Sequence, residues 1–233
     1  MGKVIMSGVV PPLSEPITGI LLATIAEGST VYLNENGNPV EFYVACHNYE
    51  ESLNGMGRTL LVRKDCYDER IFNTTENETK NVFQDSTIDV WLNTNYLGLL
   101  DERAKSAIEE TCFVYTHHDP NEDDTFHVTT LTRPVFLLSL YEYGKSTSYS
   151  EKEGSTLSIA STLRIAKYNG TAVKHWTRSP NTANRGNMYC LSASGGSTSG
   201  NVSTGTTAYS RPCFTLPSNA RFDEETLIFK GVR

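Results

Sequence analysis

The chain is poor in cysteine and has none of the spacings that give cysteine a chemical role. Cys46, Cys66, Cys112, Cys190 and Cys213 are odd in number and contain no CxxC, which argues against a complete disulfide framework and against a zinc ribbon. They read as buried reduced thiols. Long apolar runs are also missing. "ITGILLAT" is far shorter than the ~20 residues that span a bilayer, and prolines 11, 12 and 16 interrupt the stretch where the apolar part of an export signal would lie. The expectation is a chain made in a cytoplasm and not inserted into a membrane. An excess of positive charge is absent too. With 20 Lys and Arg against 27 Asp and Glu, a net charge of -7 and no basic cluster, the sequence argues against nucleic acid as a partner.

The motifs of common enzymes are lacking as well. There is no GxSxG elbow, no phosphate-cradling glycine loop and no dinucleotide fingerprint. His117 and His118 are adjacent, so on a strand they face opposite ways, while His47, His127 and His175 are isolated. Asp119, Asn121, Asp123 and Thr125 alternate as calcium-loop ligands do, but the sixth position is Asp124 instead of glycine and the twelfth is Thr130 instead of glutamate. They read as a solvated acidic turn. A non-enzyme without metal or cofactor is therefore expected.

What is present is enough apolar content, 38% of 233 residues, for one substantial core. Residues 1–24 read as an anchoring arm, because Pro-Pro and Ser-Glu-Pro break any helix or central strand there; residues 25–233 read as the domain. Two β-rich runs flank Asn36-Gly37, a hairpin signal. From Ser86 the period changes: Ile88, Trp91, Leu92, Tyr96, Leu99 and Leu100 share a helical face, with Ser86 as its cap, and Asp101 caps a second helix that runs toward Thr111. "CFVYTHH" and "FHVTTL" read as strands, "PVFLLSLYEY" as a third helix closed by Gly144, and "LSIASTLRIAKYNG" as a short helix ended by Gly170. Beyond Val173 short strands and polar turns remain.

Two motifs stand out there. "HWTRSP" and "SRPCF" each place an arginine beside a Ser/Pro turn element and a bulky apolar residue. Arg178 and Arg211 are expected to be buried fork donors to main-chain carbonyls or a carboxylate, holding irregular loops in place beside Trp176. At these residues the chain resembles a family of bacterial and bacteriophage domains with "W-x-R-S-P", a polar variable stretch, and "R-P-x-F", here Trp176, Arg178, Ser179, Pro180 and Arg211, Pro212, Phe214. "STIDVWLNTNYLGLLDERAKSAI" and "RPVFLLSLYEYG" resemble the same family's helical elements, and "KVIMSGVVPPL" is similar to the start of proteins from the tail-gene region of Firmicutes phages. The resemblance spans most of residues 25–220. It implies an α+β, C-type-lectin-like fold, related to formylglycine-generating enzymes, with small twisted antiparallel sheets, two or three helices and long ordered loops. The catalytic cysteines and metal ligands of those enzymes have no match here.

The same resemblance implies a phage or prophage virion protein, a tail-tip or fibre adhesin that binds a host-surface glycan or protein. Other virion proteins would hold residues 1–24, and the assembly would be a homo-oligomer. A capsid decoration or tail-assembly protein is the alternative. In diversity-generating retroelements this fold varies at its C-terminal segment, which here makes Asn181, Asn184, Asn187, Tyr189, Ser197, Thr198, Asn201, Ser203, Thr206 and Tyr209 the candidate ligand-binding residues. From the residues themselves, Tyr, Ser, Gly and Asn are what adaptable binding surfaces use. Met188–Ala193 alternates as a strand does, and "SGGSTSG" turns it into a hairpin.

Overall fold

The computed structural model describes residues 16–74, 81–118, 125–203 and 207–232. Residues 1–15 of the expected arm, Thr206 and most of the acidic turn lie outside them. In chain order the elements are β1 (Ile20–Leu21), β2 (Thr30–Glu35), β3 (Asn38–His47), α1 (Glu51–Asn54), β4 (Arg58–Arg63) and β5 (Glu69–Arg70). A continuous helical run, α2, begins at Thr87–Trp91, widens to a π turn over Leu92–Tyr96 and tightens to a 3-10 turn over Leu97–Leu99. Then come α3 (Glu102–Ala107), β6 (Thr111–His118), β7 (Phe126–Arg133), β8 (Val135–Phe136), α4 (Ala160–Leu163), β9 (Ala166–Tyr168), β10 (Thr171–Val173) and β11 (His175–Pro180). The chain closes with β12 (Asn187–Leu191), β13 (Ser197–Asn201), β14 (Ala208–Tyr209), β15 (Cys213–Pro217), β16 (Arg221–Phe222) and β17 (Phe229–Gly231).

These make a mixed α+β architecture dominated by small sheets. The larger antiparallel sheet runs β2-β3-β4-β15-β8, and a second runs β13-β12-β11-β14-β5, with β11 and β14 its parallel neighbours. β4 and β15 are central because their apolar residues leave no polar face: Leu60, Leu61, Val62, Phe214 and Leu216 are all fully buried. At the β2–β3 turn Asn36 and Gly37 both have positive φ, 50° and 78°, as a two-residue hairpin requires. The expected helix starts are present, with Ser86 Oγ accepting from Asp89 N at 3.3 Å and Asp101 Oδ1 from Ala104 N at 2.8 Å. The second helix stops at Ala107, and the chain passes through Ile108 into β6.

Three expectations fail for stated reasons. Residues 134–143 form no helix: Val135–Phe136 pairs with β15, and Leu137–Leu138 continues without helical bonds. Leu137 O accepts from the Arg178 guanidinium and Leu138 O from Arg178 N, so a distant strand takes the carbonyls a helix would use. Gly170 does not end a helix; with Asn169 (φ 48°) it turns β9 into β10. Residues 20–24 belong to the body and not to an arm, since β1 pairs with β16 and Leu22 is fully buried, its N–H bound to Ala220 O at 2.8 Å.

Candidate functional site

The second sheet is held from beneath by the tryptophan and arginines of the two motifs. Trp176 is fully buried, edge-on to Phe72, and donates Nε1–H to Arg70 O at 2.9 Å. Arg211 joins three segments by donating to the main-chain oxygens of Arg63 (2.8 Å), Lys64 (2.8 Å) and Leu163. Arg178 donates Nε–H to Val114 O at 3.0 Å and Nη1–H to Leu137 O at 2.8 Å, over the ring of Phe113. The same Nη1 meets Glu142 Oε2 at 2.7 Å, with both side chains at 0% exposure. Glu142 is saturated: Oε2 also accepts from Ser139 N at 2.7 Å and Oε1 from Tyr49 OH at 2.5 Å.

Ser179, next along the strand, donates to the buried Glu153 carboxylate, whose Oε1 accepts from Thr116 N at 2.6 Å. Burial pushes the Glu153 carboxyl above the usual carboxylate range, while Arg178 pulls the other way. Glu142, Glu153 and Tyr49 were missed from sequence alone. The available signal was a lone glutamate in the apolar run "FLLSLYEY", since a charge there needs a buried partner.

On this support stands the hairpin β12–β13. Its register pairs Asn187 with Asn201, Tyr189 with Ser199, Cys190 with Thr198 and Leu191 with Ser197. Five of the candidate residues gather at the open end of the hairpin. Asn181 N–H donates to Asn187 O (3.0 Å), Asn187 N–H to Asn184 O (2.9 Å) and Asn184 N–H to Asn181 O (3.1 Å), a closed ring of main-chain bonds. All three carbonyls also face one side-chain amide, Asn81 Nδ2, at 3.1, 3.2 and 2.9 Å. Asn81 is fully buried, and no sequence signal marked it. Asn201 and Ser203 adjoin this end, with Asn201 Oδ1 accepting from Ser203 N at 2.9 Å.

The remaining candidates divide. Tyr189 is buried, its hydroxyl 2.6 Å from Thr147 Oγ1, and Ser203 is buried as well. Ser197 is exposed and Thr198 half-buried, and neither hydroxyl has a partner among the described residues. Tyr209 lies on β14, three strands from β13 and so ~14 Å away across the sheet, where its ring meets Tyr168 at 4.8 Å. It does not join the others. Tyr149, unmarked in the sequence, does: it is 54% exposed, and its carbonyl accepts from Thr182 N at 3.0 Å.

A separate cleft of about 400 Å³ is lined by Glu27, Glu50, Glu51, Ser155, Thr156 and Ser158, among others, with no basic side chain in its wall. Burial, followed by Glu142, raises the Glu50 carboxyl. Among the described residues no group of His, Cys, Asp and Glu could hold a metal ion, all five cysteines are free, and no helix is long and apolar enough to cross a membrane.

A family model described as "Domain of unknown function (DUF6273)" matches residues 56–218, more than half of the chain, and the chain belongs to that family. No curated protein and no solved structure matches.

Proposed function

We propose that this DUF6273 member is a non-enzymatic recognition domain of C-type-lectin-like build, a tail-tip or fibre protein of a phage or prophage virion that grips a host-surface glycan or protein. One observation carries the proposal: a surface rich in amides and hydroxyls, around Asn181–Asn187, Tyr149 and β13, with the exposed Arg185 as the charged group within the turn, is held rigid from below by buried arginine and asparagine networks. Such preorganisation lowers the ordering cost of binding. Asn181 Oδ1 and Asn184 Oδ1 accept from the local amides of Ala183 and Gly186, which leaves their NH2 groups as outward donors. Tyr149 adds an aromatic face of the kind that sugars and protein loops stack on. The virion context rests on the resemblance of "KVIMSGVVPPL" and the paired motifs; there residues 1–15 would meet other virion proteins.

The test is adsorption of the labelled full chain to intact bacteria of the host type. Binding is expected to fall at least ~10-fold, or ~1.4 kcal/mol, on Tyr149→Ala or Asn184→Ala and to stay unchanged on Tyr168→Ala. Equal binding by all three variants sinks the assignment of this surface. Capsid labelling of intact particles, with no cell binding, would instead identify a decoration protein.

A further inference from the structure

The edge of the second sheet is built to pair. Two bonds flanking the hairpin, Ser192 N–H to Gly196 O and Val202 N–H to Gly186 O, both at 2.8 Å, fix the ladder so that Met188 exchanges bonds with Gly200 and Cys190 with Thr198. Ser197 and Ser199 therefore turn their N–H and C=O away from β12. No other part of the described chain takes up these groups.

Sheet edges are ordinarily blunted by charge, proline, shortness or a cover. The opposite edge of this sheet, β5, is two residues long and is Glu69-Arg70. Edge β2 of the larger sheet is covered through Tyr32 N–H to Leu227 O and Asn36 N–H to Leu99 O, and β8 has two residues. β7 has an open side but follows the acidic run 119–124 in sequence. Among the described residues β13 has none of these protections, and Gly186–Ser210 contains no charged residue and no proline.

We propose that β13 is the site where a second copy of this chain docks, antiparallel, with the two-fold axis at Thr198. In that register Ser197 and Ser199 of one copy meet Ser199 and Ser197 of the other, each pair exchanging both N–H···O bonds. Thr198 faces its own counterpart in a close, non-hydrogen-bonded pair, a favourable cross-strand contact. The occupant is a second copy because the pairing is self-complementary, as a closed two-fold interface requires. It also brings two chains of net charge -7 together on their uncharged segment, where like-charge repulsion is least. Side chains of Ser197 and Ser199 remain on the sheet face, so the inference stands apart from the ligand reading.

The test is the mass of the full chain by sedimentation equilibrium, with cross-linking of Thr198→Cys. A dimer is expected, shifted to monomer by Ser199→Pro, which removes one outward donor. Mild oxidation is expected to join the Thr198→Cys chains through a reducible bond, since close cross-strand Cα atoms ~4.5 Å apart suit a disulfide. The native chain and Thr207→Cys, on the far side of the sheet, are expected not to cross-link. A monomeric native chain, a dimer that persists in Ser199→Pro, or Thr198→Cys linking no better than Thr207→Cys overturns the proposal.

Discussion

Removal of Glu142 tests the support beneath the second sheet most directly. Glu142→Leu leaves Arg178 charged and fully buried, and also strands two donors, Tyr49 OH and Ser139 N–H. Breaking one half of a buried ion pair costs about 3–5 kcal/mol, and each stranded buried donor adds about 1–3 kcal/mol. Against a total stability of ~5–15 kcal/mol, the variant is expected to be unfolded or barely folded at room temperature. Arg178→Met, which strands Glu142 between Tyr49 and Ser139, is expected to cost about 3–5 kcal/mol by the same route. The double variant removes both charges and should be more stable than the sum of the singles by at least ~2 kcal/mol. Urea unfolding of the four proteins, in a fixed concentration of a stabilising osmolyte that keeps every variant folded at zero urea, gives the coupling. If each single variant costs under ~1 kcal/mol, or the coupling is zero, then the pair is not the clamp described here.

Three further outcomes follow from other contacts. Burial, followed by the nearby Arg211 charge, pushes the His175 imidazole down to about 3; below its usual ~6.5 the unfolded chain takes up a proton that the folded chain does not. Its share of stability is therefore full above ~6.5 and falls by ~2 kcal/mol at pH 5, so His175→Phe, measured by urea unfolding, should lose less stability than the native chain between pH 7.5 and 5. Asn81→Leu leaves three carbonyls without their shared donor and is expected to cost ~1–3 kcal/mol and to speed amide hydrogen exchange at Asn181, Asn184 and Asn187 by mass spectrometry. At Gly154, where φ is +84°, an added Cβ would lie 2.7 Å from Glu50 Oε1; Gly154→Ala should cost more than ~1 kcal/mol in thermal unfolding, well above Gly98→Ala at an open site.

The sequence made local structure legible where local chemistry decides it. Ser86 and Asp101 cap helices through amides three residues on, and Asn36-Gly37 turns a hairpin because both residues tolerate positive φ. The roles expected of Trp176, Arg178 and Arg211 rested on a general point, that a guanidinium satisfies several acceptors in a loop-rich core. The segment 134–143 misled for the same reason in reverse: its proline and apolar run fit a helix, while β15, Arg178, Leu157 and Arg164, all distant in the chain, engage its main chain instead. Asn81 had no local signal at all, since its acceptors lie 100 to 106 residues away. Of the candidate site, the hairpin was expected, but its return strand, β13 at Ser197–Asn201, lies largely within the "SGGSTSG" that reads as the turn, because the ladder already closes at Ser192 N–H to Gly196 O. Tyr209 was placed with the hairpin by sequence proximity, but a strand order of β13-β12-β11-β14 separates what the chain lists as neighbours.

Segment 181–203 puts its apolar side chains, Met188, Cys190, Leu191 and Val202, into the core through the strands, so the turn 181–187 draws its order from hydrogen bonds. The ring among Asn181, Asn184 and Asn187 uses main-chain groups, and Asn81 closes it from the core side with one buried amide. Because the backbone supplies the order, the exposed side chains can change without unmaking the turn, provided that residues such as Asn181 and Asn184 keep a small polar group for the local amides they cap. The buried set, Arg178, Glu142, Trp176 and Asn81, has no such freedom, since the bonds of the Arg178 Nε and Nη1, the Glu142 carboxylate, the Trp176 Nε1 and the Asn81 Nδ2 go to buried partners that water cannot replace. That division, a fixed polar frame under a replaceable polar surface, is the physical condition for a fold whose binding specificity varies while its architecture does not.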